Sequence, residues 1–75
     1  MNQQRRKRLK EAMSYIDKAK DIIQDILIEE EIAFDNLSEG LQQTMRGETM
    51  EENINLFDEA TESLDEVIET LKEVE

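Results

Sequence analysis

The stretch from Leu9 to Leu37 is the sequence feature that most constrains the fold of this chain. It contains neither Gly nor Pro, so nothing within it interrupts a helix. Its apolar residues recur in steps of three and four, which is the period of an amphipathic helix. These residues are Leu9, Ala12, Met13, Ile16, Ala19, Ile23, Ile26, Leu27, Ala33, Phe34 and Leu37. The pattern predicts a first helix over residues 5–37, which the rest of the chain covers.

Residues 38–48 form the predicted connection, because they contain both glycines of the chain. Asn36 or Ser38 can cap a short helical turn there, since both residue types accept hydrogen bonds from free backbone N–H groups. Gly47 suits a left-handed or open backbone conformation before the second helix. We therefore expect a turn-rich connection with one short helical turn.

A second helix is predicted over residues 50–74. Thr49 is followed three residues later by Glu52, which is the spacing of a capping box. The apolar stripe of this helix comprises Met50, Ile54, Phe57, Ala60, Leu64, Val67, Ile68, Leu71 and Val74. Two helices of similar length with a short connection favour an antiparallel arrangement. The predicted fold class is therefore all-α, an antiparallel two-helix hairpin that forms a single domain over residues 1–75.

The first helix has more apolar surface than one neighbouring helix can cover. Ile22, Ile28 and Ile32 lie beside or outside its main stripe, as expected for a helix with two or three neighbours. A chain of 75 residues also buries little apolar surface by itself. We therefore expect the hairpin to form a homodimer, a four-helix bundle with these three isoleucines at the dimer interface.

Two polar residues, Lys20 and Glu30, interrupt the stripe of the first helix. In one interpretation their aliphatic stems lie on the core while their charged groups reach solvent or a partner charge. In the other they fix the register of an assembly. The first interpretation is favoured, because such positions are usually solvated.

The charges of the chain are distributed unevenly. The net charge is −11, but residues 1–20 carry +5 and residues 21–75 carry −16. The basic residues from Arg5 to Arg8 lack interleaved aromatics, and the acidic remainder repels nucleic acid, so direct nucleic-acid binding is not expected. The alternative is an internal clasp, in which this basic segment lies beside the carboxylates of Glu69, Glu73 and Glu75.

The acidic rows are the most informative surface feature. Asp58, Glu62, Asp65 and Glu69 follow one another on the second helix at spacings that keep them close together, despite mutual repulsion. Their density approaches the phosphate spacing of a single DNA strand, about 3.4 Å. This pattern predicts a partner-binding acidic face on these four residues. The alternative is a solvated face that serves solubility alone.

Several site chemistries are disfavoured by composition. The chain has no Cys and no His, which removes thiolate sites and the usual general base near neutral pH. It has no phosphate-binding loop and no nucleophile–base motif. We therefore expect no enzyme, no catalytic residues, no cofactor and no metal site. A hard-cation site among the carboxylates near the connection is a less favoured alternative. Without a long apolar run or a signal sequence, a cytoplasmic protein without membrane association is expected.

Three segments, RRKRLKEA, EEEIAFDNLSEGLQQTMRGETMEENI and DEATESLDEVIETL, carry a resemblance. They resemble a group of small, acidic, mostly uncharacterised proteins of bacteriophages and prophages of Gram-positive bacteria. The resemblance implies a helical fold and a location in the host cytoplasm. By analogy it favours a non-enzymatic protein that presents its acidic surface to a basic host protein, as an inhibitor of a nucleic-acid-binding or defence protein by charge mimicry. The alternative is a structural or assembly module of a phage.

Overall fold

The computed structural model describes all residues from 1 to 75 and contains helices but no strands. The helices are α1 (Gln3–Asp35), α2 (Glu39–Gln42) and α3 (Met45–Lys72). The molecule is elongated, with principal extents of 58 × 15 × 12 Å. The prediction of an all-α fold is confirmed.

Each helix begins at a polar residue that caps it. The side chains of Asn2, Ser38 and Thr44 each accept a hydrogen bond from the backbone N–H three residues further on. These bonds satisfy one of the N–H groups that the first turn of a helix leaves free. Ser38 therefore caps the short α2 helix as predicted, whereas Asn36 is the C-terminal cap of α1.

The start of α3 differs from the sequence prediction. The helix begins at Met45 rather than near residue 50, and Thr44 rather than Thr49 is its N-cap. The prediction failed because Thr49 fits a capping box in isolation, while the preceding turn is already helical. The predicted end of α1 at residue 37 is also two residues late, since α1 ends at Asp35.

Gly47 lies inside the first turn of α3, and its φ is not positive. The expectation of a left-handed conformation at this residue is therefore wrong. The reason for a glycine is instead a close approach of the backbone of Gln42. A Cβ atom at position 47 would lie 2.6 Å from the carbonyl carbon and 2.7 Å from the Cα of Gln42. Only a residue without a side chain lets α2 and α3 approach this closely.

Two contacts join the long helices, and a third joins α2 to the end of α1. Arg6 Nη2 donates to the main-chain oxygen of Glu75 at 2.6 Å, and Lys20 Nζ lies 2.6 Å from Asp65 Oδ1. At the other end, the Gln42 side-chain amide donates to main-chain oxygens at the end of α1. The start of α1 therefore lies beside the end of α3, and the two helices have opposite chain directions.

Apart from Gln24, Gln42 and Ala60, the residues that are buried or partly covered form one seam between α1 and α3. Along each helix they are separated by alternating steps of three and four residues, which is the seven-residue repeat of a coiled coil. We label the repeat a to g, with a and d in the seam. The seam residues of α1 and the following turn are Leu9, Met13, Ile16, Lys20, Ile23, Leu27, Glu30, Phe34 and Leu37. Those of α3 are Gly47, Met50, Ile54, Phe57, Thr61, Leu64, Ile68 and Leu71.

The seam is narrower than the apolar stripe predicted for the first helix. Lys20 and Glu30 occupy seam positions, while Ala12, Ala19 and Ala33 remain exposed. The only buried apolar side chain of the molecule is Ile68, which is 6% exposed. A single helical neighbour covers only the a and d positions of α1, so the apolar residues outside them stay in contact with solvent.

Candidate interaction surfaces

The two flat sides of the helix pair carry different residues. Because α1 and α3 have opposite directions, the g positions of both helices lie on one side of the seam and the e positions lie on the other. The c positions flank the g positions, and the b positions flank the e positions. We call the c and g positions of α1 and α3 the charge-poor face, and their e and b positions the charged face. The f positions form the outer edge of each helix.

The carboxylates of α3 and its C-cap avoid the charge-poor face entirely, since all of them lie at e, b or f positions. They are Glu48, Glu51, Glu52, Asp58, Glu59, Glu62, Asp65, Glu66, Glu69 and Glu73. The four residues predicted to bind a partner are among them. Asp58 and Asp65 occupy e positions, and Glu62 and Glu69 occupy b positions. The fold therefore brings all four onto the charged face, and all four are exposed.

Two of these four carboxylates already have a partner within the chain. Asp65 pairs with Lys20 at 2.6 Å, and Glu69 pairs with Lys72 at 3.2 Å. The hydrogen bond from Lys20 to Asp65 raises the pKa of the Lys20 ammonium above its ordinary value. Asp58 and Glu62 belong to neither ion pair. The unneutralised part of the predicted binding face is therefore centred on these two residues.

The charge-poor face carries most of the large apolar side chains that remain exposed on the two long helices. Tyr15 is 62% exposed, Ile22 is 61% exposed and Leu56 is 54% exposed. Ile26 and Val67 lie on the same face and are 37% and 44% exposed. The α3 half from Thr49 to Lys72 has no charged residue at a c or g position. This face can be recognised in the sequence once each residue is assigned to a position of the seven-residue repeat. A search for apolar residues three and four apart does not make that assignment.

The charges on the charge-poor face are few and lie near its ends. On α1 they are Arg5 and Arg8 near the start of the helix and Glu29 near its end. On α3 the one charged residue at a c or g position is Arg46, in the first turn. The central part of this face, between Arg8 and Glu29, is therefore uncharged.

The three isoleucines predicted at the dimer interface do not share this face. Ile22 occupies a c position of the charge-poor face, but Ile28 is at a b position and Ile32 is on the outer edge of α1. Lys18 and Asp25 share that outer edge, so charged side chains interrupt it. Of the three predicted residues, only Ile22 lies on the extended uncharged surface.

The predicted clasp of the basic segment is wrong in its carboxylate form. No residue from Arg5 to Arg8 forms an ion pair with Glu69, Glu73 or Glu75. Arg6 instead donates to the main-chain oxygens of Met1, at 3.2 Å, and of Glu75. The two ends of the chain are thus joined by a hydrogen bond from the Arg6 side chain to the main-chain oxygen of Glu75, and not by a pair with a carboxylate side chain.

An open groove lies beside this contact, where α1 begins and α3 ends. It encloses about 330 Å³ and is lined by Met1, Arg6, Leu9, Lys10, Met13, Leu71, Lys72 and Val74. The lining contains no carboxylate and no hydroxyl group, so it offers no side chain that accepts a proton from a substrate at neutral pH.

No three acidic side chains come close enough to hold a metal ion, including those near the connection. None of the three helices combines the length and the apolar character needed to span a membrane. Comparison with protein-family models, curated proteins and solved structures finds no match.

Proposed function

We propose that this protein is a non-enzymatic interaction module that presents its charged face to a basic protein surface. The observation that supports the proposal is the confinement of the α3 carboxylates to e, b and f positions, with none at c or g. Solubility alone requires negative charge but does not require that it be excluded from one side of the helix. A surface that binds a partner of opposite charge needs its own charges gathered in one region and absent from the rest.

The proposed mode of binding is imitation of nucleic-acid charge. Carboxylates one turn apart on α3 repel one another, which costs about 0.2–0.5 kcal/mol per pair. A partner with a basic groove would turn this repulsion into attraction, and association would be fast and strongly dependent on salt. Asp58 and Glu62 are the centre of the proposed contact, because neither is in an intramolecular ion pair. Asp65 and Glu69 lie on the same face but are partly neutralised.

A bacteriophage origin would make the partner a host protein. On that basis we propose a basic nucleic-acid-binding or defence protein in the host cytoplasm as the target, which this chain would inhibit by occupying its binding groove. The support for this setting is the resemblance of the sequence segments described above.

We further propose that α1 and α3 act as an antiparallel hairpin that dimerises into a four-helix bundle. The exposed apolar side chains of the charge-poor face favour this arrangement. They also favour a second candidate function, a structural or assembly module whose acidic surface serves solubility alone. The two candidates differ in whether the charged face binds anything.

The experiment that separates them is a pull-down from host lysate with the immobilised protein, at low and at high salt. The Asp58→Lys/Glu62→Lys variant reverses two charges on the charged face. The Glu11→Lys/Asp25→Lys variant makes the same change in net charge on the outer edge of α1. We expect the unmodified protein to capture a nucleic-acid-binding protein that high salt and duplex DNA release. The control variant should still capture it, and the first variant should not. Equal retention by both variants, or no salt-sensitive protein, would contradict the proposal.

A further inference from the structure

We propose that a second copy of this chain docks on the charge-poor face in a defined orientation. The two connecting ends lie at opposite ends of the dimer, α1 lies along α1 of the second copy, and Arg8 pairs with Glu29 of the second copy. This inference rests on the dimer proposed above and specifies its surface and geometry.

The protomer leaves an uncovered surface of suitable size. Only one apolar side chain is buried, while Tyr15, Ile22 and Leu56 remain more than half exposed on the charge-poor face. A side of 58 × 15 Å has an area of about 870 Å², close to the roughly 800 Å² that each partner contributes to a stable interface. The charge-poor face is therefore large enough for one further copy.

Charge selects this face as the contact between copies. Each chain carries a net charge of −11, so most approaches of two copies are repulsive. Contact through the charged face would bring the carboxylates of Asp58 and Glu62 towards those of the other copy. The charge-poor face has an uncharged centre, so it allows two copies to approach without this cost.

Charge also selects the orientation along the long axis. Acidic residues collect at the connecting end, and basic residues collect where α1 begins. The acidic set is Glu29, Glu30, Glu31, Asp35, Glu39, Glu48, Glu51 and Glu52, with Arg46 as the only basic residue between them. A dimer with both connecting ends together would place two such acidic clusters side by side. The reversed orientation places each cluster beside the basic start of the other α1.

Arg8 and Glu29 give this orientation a specific contact. Both occupy c positions, and neither forms an ion pair within the protomer. Along α1 they lie at nearly equal distances on either side of Ala19. A two-fold axis that passes near Ala19, perpendicular to α1, therefore brings Arg8 of one copy beside Glu29 of the other, twice in each dimer.

The same two-fold axis matches the remaining side chains of α1. It places Tyr15 beside Ile22 of the second copy and Ala12 beside its Ile26, with Ala19 near its own equivalent. Ala12 thus meets a larger residue, Tyr15 and Ile22 bury their exposed side chains against each other, and alanine at the centre allows the helices to approach closely. A self-complementary pattern is what an isologous interface requires.

The test is a charge-swap cycle that measures the dimer dissociation constant by sedimentation equilibrium. Arg8→Glu and Glu29→Arg are each expected to raise this constant at least about threefold, and the double variant is expected to return it to within about twofold of the original value. Lys10→Glu and Glu31→Arg are the matched controls. They have the same separation along α1 but lie on the charged face, so their double variant should show no such recovery.

Each outcome identifies what has failed. If the unmodified chain is monomeric at every concentration, the proposed dimer itself is wrong. If it is dimeric but the Arg8–Glu29 double variant shows no recovery, the dimer stands and this surface and orientation are wrong. Recovery for the Lys10–Glu31 pair alone would place the contact on the charged face. Circular dichroism of each variant establishes that the helices are retained.

Discussion

Lys20 Nζ lies 2.6 Å from Asp65 Oδ1 and joins the seam of α1 to the charged face of α3. Lys20 occupies an a position between Ile16 and Ile23, and its side chain is 21% exposed, whereas that of Asp65 is 55% exposed. The aliphatic stem therefore covers the seam while the ammonium group reaches a carboxylate at the rim. The favoured interpretation of Lys20, with its stem on the core and its charge on a partner, is confirmed.

The Lys20–Asp65 pair predicts a stability difference at alkaline pH. The hydrogen bond to Asp65 raises the pKa of Lys20 above 10.5, with smaller effects of the Asp17 and Asp21 charges, and outweighs the partial burial that lowers it. Because this pKa is higher in the folded state than in the unfolded state, the stabilisation is complete below pH 10.5 and is lost as pH rises through the folded-state value. Lys20→Met removes the titrating group.

The measurement is the melting temperature of both proteins between pH 7 and pH ~11.5, a range that brackets the lysine titration. The melting temperature of Lys20→Met relative to the original protein is expected to be constant up to about pH 10 and to increase above it, as the original protein loses its ion pair. A difference that does not change with pH would show that the pair contributes nothing to folding.

The two glycines should respond in opposite directions to replacement by alanine. At Gly47 a Cβ would contact the backbone of Gln42 at 2.6 Å and 2.7 Å, so α2 must shift. Gly47→Ala is expected to lower the free energy of unfolding by about 1–3 kcal/mol. At Gly40 no atom lies within 4 Å of the added Cβ, so Gly40→Ala is expected to raise it by about 0.5 kcal/mol. Urea denaturation measures both, and equal effects would mean that α2 does not contact α3 as described.

Threonines 44 and 49 test where α3 begins. Thr44 Oγ1 accepts from Gly47 N and donates to Leu41 O, so Thr44→Ala removes an N-cap and is expected to cost about 1 kcal/mol. Thr49 lies inside the helix and is exposed, so Thr49→Ala should be neutral or slightly stabilising, because alanine has the higher helix propensity. Thermal unfolding of both variants is the measurement. The reverse order of stabilities would place the helix start at residue 50.

Single cysteines test the orientation of the proposed dimer, since the chain has no cysteine of its own. Ala19→Cys lies near the proposed two-fold axis, so oxidation should link the two copies through equivalent sulfur atoms. Ala33→Cys occupies the same g position two repeats further on, far from that axis, and should remain reduced or link only slowly. Non-reducing electrophoresis after mild oxidation measures both. Equal cross-linking of the two variants would contradict the proposed orientation.

The sequence by itself determined the helices of this protein. A stretch without Gly or Pro and with steps of three and four can bury its apolar residues in water only as an amphipathic helix, so the class of fold followed from local pattern. The four acidic residues on α3 were likewise found from spacing alone, because residues three and four apart always share one helix face. Ser38 was one of two candidate caps for the same local reason, and the structure chose it over Asn36.

Only the tertiary structure decided which of these residues lie between the helices. The seam follows a repeat of seven, so it includes Lys20, Gly47 and Thr61 and leaves Ala19 and Ile26 more exposed. Apolarity did not predict this choice, because the position of a residue in the seam depends on the direction and register of the neighbouring helix. The close approach of Gln42 explains the glycine at position 47. The opposite direction of α3 placed the g positions of both helices on one side of the seam and the e positions on the other. These are properties of two segments together, which no pattern within one segment contains.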